Sequence, residues 1–146
     1  MKCLLCLICC ILILAAQTPA AVAQSLFGKE VKKKYSLRTV SCYTCHSRKS
    51  EIPEASLDAY KDNKKAFRNA FGEQLYQHLK GKDVTKRLAE VKKLEDEDEK
   101  KIKVHDEMKK LFDGALKEVE QAKSPSGSTY GDLLEKATLK GVKPKK

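Results

Sequence analysis

Tryptophan is absent from this 146-residue chain, which has four phenylalanines, five tyrosines and, after Met1, a single methionine, Met108. Such a supply of large side chains makes a modest core and suits one small domain. No segment of the chain beyond residue 23 alternates apolar and polar residues convincingly, so a βαβ or thioredoxin-like framework is not expected. No internal repeat is found. The longest apolar run, Leu4 to Ala16, is 13 residues, short of the ~20 that a membrane-spanning helix needs. No carboxylate pair stands apart from the surface charge, and no Ser-His-Asp order has supporting context, so nothing suggests hydrolysis. Zinc-finger spacing and aromatic-basic RNA motifs are missing too, so no nucleic-acid partner is expected.

Cysteine is present but confined. Four of the six, Cys3, Cys6, Cys9 and Cys10, lie in residues 1–23, which read as an export signal. Lys2 gives a minimal positive start, Gln17, Thr18 and Pro19 close the apolar run, and Ala21-Val22-Ala23 offers small residues for cleavage after Ala23. None of these cysteines follows the Gly, Ala or Ser of a lipobox. An uncleaved anchor is the alternative. With cleavage the chain is placed in the periplasm or outside the cell, without a transmembrane segment, and divides into a helical domain over 24–140 and a frayed basic tail over 141–146.

The formal net charge is +10. Outside the cytoplasm that charge suits acidic protein partners or anionic headgroups, though much of it is explained as solvated helix surface.

Helical periodicity recurs along the domain. Ser25–Leu37 forms a first short helix, with Leu26, Phe27, Val31 and Tyr35 inward. Arg38–Pro53 reads as loop. Glu54–Leu79 holds one or two helices, with Phe67, Phe71, Leu75 and Leu79 four apart and Gly72 marking a break or a close contact. Gly81 stops that segment. Asp83 then caps a helix carrying Val84, Leu88, Val91 and Leu94. The acidic run Glu95–Glu99 is either a solvated turn of one long helix or the bend of a helical hairpin. Val104, Met108, Leu111, Ala115 and Val119 continue the apolar stripe, and Thr129–Leu139 closes with a short helix. The fold class is all-α, a small bundle of about four to five helices.

Cys42-Tyr43-Thr44-Cys45-His46 carries the chemistry. Two thiols with two residues between them can each add to a vinyl group of one haem, and the following histidine can ligate the iron. Two alternatives share these residues. Export permits a Cys42–Cys45 disulfide, which would make this a haem-free helical binding protein. A zinc site would need His78 and His105 to complete the set, and these lie 27 residues apart in sequence.

On this motif the chain resembles the c-type cytochromes, specifically the small exported monohaem ones. The resemblance is sharp over Cys42–His46 and loose elsewhere. It implies a helical bundle around one covalent haem c, thioether bonds from Cys42 and Cys45, a proximal iron bond from His46, and electron transfer with a redox partner rather than enzymatic turnover. Phe67, Phe71, Phe112, Leu75 and Leu111 are candidates to wall the haem, and each is equally explained by helix packing.

The sixth iron ligand decides the job. His78, Met108 and His105 are the candidates, in that order. Class I cytochromes c usually take a distal methionine from a downstream loop, and Met108 has the right order but sits in an apparent helix. It also lies on the apolar stripe with Val104 and Leu111, and an ordinary core methionine describes it better. If none ligates, the iron is open, and a haem-based sensor or minor peroxidase becomes the alternative.

Overall fold

Apolar spacing places most of the helices. The computed structural model describes the backbone of residues 20–145 and the side chains from Leu26 onward. The expected leader lies outside the described residues, except for its last four positions. Six α-helices are described: α1 (Ala20–Lys34), α2 (Leu57–Asp62), α3 (Ala70–Leu79), α4 (Val84–Val91), α5 (Glu99–Gln121) and α6 (Tyr130–Glu135). The helical class expected from periodicity is present, with a small sheet added.

Helix α5 organises the packing. Asp98 caps it by accepting from the Lys100 amide at 2.9 Å, and Met108, Phe112, Ala115, Leu116 and Val119 form its buried face. That face meets α1, α3, α4 and α6. Phe27 of α1 lies flat on Phe112, ring centroids 4.2 Å apart. The main core gathers Val31, Leu37, Phe71, Leu75, Phe112, Leu116 and further residues. A second, smaller cluster holds Leu26, Val84, Leu88 and Met108. Helix α4 buries Val84, Leu88 and Val91, the i, i+4, i+7 positions of one helical face.

The acidic run is resolved as the bend of a hairpin between α4 and α5. Lys101 reaches back across it to the Leu94 carbonyl at 2.7 Å and to Asp96 at 2.6 Å, and Arg87 of α4 pairs with Glu107 of α5. Gly81 has φ of +79°, the left-handed conformation that ends a helix cheaply only at glycine. Asp83 precedes α4 but does not cap it: its own φ is +48° and its side chain accepts no capping bond.

Two further expectations are corrected. Leu37–Val40 is a strand, β1, where Leu37 is expected to end the first helix and Arg38 to begin a loop, and Val142–Pro144, expected to fray within the basic tail, is its antiparallel partner β2. The register pairs Leu37 with Pro144, Thr39 with Lys143 and Val40 with Val142, with an irregularity between Leu37 and Thr39. Ser36, at φ +50°, turns the chain from α1 into β1. A two-stranded ribbon is marginal alone. Here Leu37 and Val142 are buried in the main core, so tertiary burial supplies what the short strands lack.

This pairing makes a discriminating prediction. Val142→Asp is expected to lower unfolding free energy by about 2 kcal/mol, because a carboxylate replaces a buried apolar group. A frayed tail would tolerate it without change in a urea titration.

Candidate functional site

The cysteine motif forms a single 3₁₀ turn. Cys42–Thr44 is the 3₁₀ segment, with the Cys45 amide donating to the Cys42 carbonyl at 3.3 Å and the His46 amide donating to the same carbonyl at 3.0 Å. Side chains three apart in such a turn eclipse one another, which sets Cys42 and Cys45 on one side. Both are free thiols.

Asn69 holds this turn against α3. Its Oδ1 caps α3 by accepting from the Gly72 amide at 2.9 Å. Its Nδ2 donates to the carbonyls of Tyr43 and Thr44, each at 3.0 Å. Its own amide donates to the Cys45 carbonyl at 3.1 Å. Gly72 makes the approach possible: a Cβ there would stand 1.9 Å from the Cys45 carbonyl oxygen. The close contact anticipated at Gly72 is therefore with the motif itself. Asn before Ala70-Phe71 was a readable N-cap signal, and Asn69 is the site residue that sequence reasoning missed.

The other side of the turn rests on the C-terminal strand. The Ser41 amide donates to the Gly141 carbonyl at 2.9 Å, and Gly141 has φ of +83°. A Cβ on Gly141 would stand 2.6 Å from both the Ser41 Oγ and the Thr44 amide nitrogen. Thr44 is 1 % exposed, which fixes the centre of the motif inside the protein. His46 pairs with Arg68 in an isolated antiparallel bridge, and the Ser47 amide donates to the Phe67 carbonyl at 3.1 Å.

Cys42, Cys45 and His46 line one wall of a cleft of about 1670 Å³, larger than the roughly 300–1,000 Å³ of ordinary small-molecule pockets. Val31, Leu75, Leu79, Val84 and Phe112 give it apolar surface, with Arg68 and Tyr76 at one side. The Arg68 guanidinium lies 3.7 Å from the centre of the Tyr76 ring. Of the five expected wall residues, Leu75 and Phe112 are on the cleft; Phe67, Phe71 and Leu111 are not among its lining residues. Phe71 packs on Tyr130 at 5.2 Å between centroids.

The three candidates for a distal ligand stand elsewhere. Met108 is 0 % exposed within the second core cluster. His78, expected on the apolar side of its helix, is exposed on α3, and His105 is half-buried on α5. None of them lines the cleft. Among the described residues no three His, Cys, Asp or Glu side chains gather as a metal-binding group, so the Cys42, Cys45, His78 and His105 set of the zinc alternative is not assembled.

Local electrostatics separate the two thiols. Desolvation pushes the Cys45 thiol up to about 12, with neighbouring Cys42 adding to the shift, whereas Cys42 is exposed. Burial also lowers the His46 imidazole below its ordinary range. A backbone hydrogen bond with Phe67 opposes that shift, and the charges of Arg68 and Lys65 reinforce it. The neutral imidazole, the form that ligates metals, is thereby favoured.

Comparisons with protein-family models, with curated proteins and with solved structures find no match.

Two outcomes test this geometry. Asn69→Ala is expected to cost about 2–3 kcal/mol, combining a lost cap with two carbonyls left without their donor. Asn69→Asp restores only the cap, because its carboxylate faces those same carbonyls; urea unfolding of both variants measures the difference. In the reduced, haem-free protein at about pH 8, iodoacetamide is expected to modify Cys42 well before Cys45, since only a thiolate attacks. Peptide mapping that finds equal rates at the two thiols contradicts the raised pKa of the Cys45 thiol.

Proposed function

We propose that this chain is a c-type cytochrome that holds one haem covalently through Cys42 and Cys45 and works as an electron carrier in the periplasm or outside the cell. The observation that carries the reading is the common placement of both free thiols and the His46 imidazole on one wall of the large cleft. Covalent attachment asks for thiols side by side along a wall, not for ligands converging on a point as zinc does. The eclipsed pair in the 3₁₀ turn meets that demand. His46 follows Cys45 directly and has its lone pair favoured by burial, so it is the residue to hold the iron from the protein side.

When bound, the haem would supply a one-electron iron couple. The chain's own part is positional. Asn69, Gly72 and Gly141 fix the turn that carries the thiols, and Val31, Leu75 and Phe112 give part of the cleft an apolar surface. The exposed lysines of the net +10 chain suit a redox partner with an acidic surface, whose approach a positive field accelerates. The export signal read over residues 1–23 supports a location outside the cytoplasm.

The full chain expressed with a haem-attachment system is expected to gain the mass of one haem, lose the leader, and show the sharp bands of a c-type cytochrome on reduction. Cys42→Ala combined with Cys45→Ala removes the added mass. A wild-type mass lower by two hydrogens, with no absorbance bands, replaces this reading with a disulfide-bonded binding protein. With an acidic redox partner, electron-transfer rates are expected to fall as ionic strength rises.

A further inference from the structure

Among the described residues, His46 is the only imidazole on the cleft, and no methionine lines it. Met108 is committed to the second core cluster, packed with Leu26, Val84 and Leu88. Moving its sulfur to the cleft would empty a close-packed site, a change that costs several kcal/mol in cores of this kind. His78 and His105 lie on helices that do border the core, yet neither side chain reaches the cleft lining. The remaining donors there are lysines and Tyr76, each of which must lose a proton before it can ligate, the exposed carboxylates of Asp83 and Glu90, and neutral hydroxyl and amide groups; none is the imidazole or thioether that usually completes such an iron.

The lining also has a sign. Five lysines and two arginines line the cleft, against Asp83 and Glu90 alone. The cations come from separate elements: Lys29 and Lys32 from α1, Arg38 from β1, and Lys86 from α4. The propionates of a haem would neutralise a pair of them, and the remainder still exceeds the two carboxylates. An open cleft lined by an excess of cations concentrates anions and discriminates against cations.

From these two observations we infer that the haem keeps an exchangeable sixth coordination position and that the cleft favours small anionic ligands there. This rests on the covalent haem proposed above and deepens it by naming the class of ligand that the iron would take besides exchanging electrons. His78, Met108 and His105 are then bystanders to the iron. Lys29, Lys32 and Lys86 act as positioning charges for the ligand.

The test uses the full chain with haem attached, at neutral pH. Intact mass is read first: without the mass of one haem the reading of the preceding section fails, and this one with it. With haem present, carbon monoxide is expected to shift the Soret band of the reduced protein, and azide to titrate the oxidised protein. His78→Ala, His105→Ala and the volume-conserving Met108→Leu are each expected to leave both spectra unchanged. A low-spin spectrum that ignores carbon monoxide overturns the open position, and a change in any one of those variants identifies the protein ligand that fills it. Carbon monoxide is neutral and azide is not, so charge is read separately. The triple variant Lys29→Glu, Lys32→Glu, Lys86→Glu is expected to weaken azide by about tenfold or more while carbon monoxide binding holds. Unaltered azide affinity in that variant overturns the preference for anions.

Discussion

Asn69 is the joint between the Cys42–His46 segment and the helix α3 that supports it. A single side chain caps α3 through Gly72 and ties down the carbonyls of Tyr43 and Thr44. An amide serves here because it carries acceptor and donor on the same group; the acceptor is used by the helix and the donor by the turn. The contact is short enough that only glycine fits at position 72, where a Cβ would overlap the Cys45 carbonyl. In most helices glycine costs about 1 kcal/mol relative to alanine. At Gly72 that cost is accepted because alanine would push the motif off the helix.

The second support comes from the far end of the sequence. Gly141 lies under Ser41 and Thr44, and the residues just after it pair with β1. The motif is thus held between a helix near the middle of the chain and a strand at its end. Fixing a turn from two independent directions removes most of its freedom to open, and that is the condition for presenting two thiols at a constant separation. It also explains why Thr44 is buried while Cys42 and Tyr43, which precede it, are exposed.

Much of the helical framework was legible because it obeys a local rule. The stripe from Val104 to Val119 follows the 3.6-residue period and supplies most of the inward face of α5, with Val104 and Leu111 half-buried; Gly81 marked a stop, while the acidic run was compatible with a bend or a continuous helix until the fold decided. What was not legible depends on distance in sequence. The Leu37–Val40 strand is four residues long and acquires its partner more than 100 positions later, so no alternation could build up. His78 follows the spacing of Phe71 and Leu75 closely enough to be placed with them, yet α3 buries a narrow face and leaves it in water. The five-residue motif was visible, but the cleft it lines is contributed by residues from Phe27 to Phe112, a set that only the fold assembles.

The position of the cleft relative to the two core clusters bears on stability as much as on binding. Val31, Leu75 and Phe112 belong to the main cluster, Val84 to the smaller one, and Phe27 and Leu79 pack against both; all six line the cleft. An apolar occupant would therefore touch both clusters at once and add contacts that a chain without tryptophan supplies sparingly. Anything that binds the folded state and not the unfolded one raises stability in proportion to the logarithm of its occupancy ratio. An occupant bonded to Cys42 and Cys45 would stay attached in the unfolded chain too, so its contribution would come instead from the apolar surface it buries on folding, where it would join the two clusters that share Phe27 and Leu79.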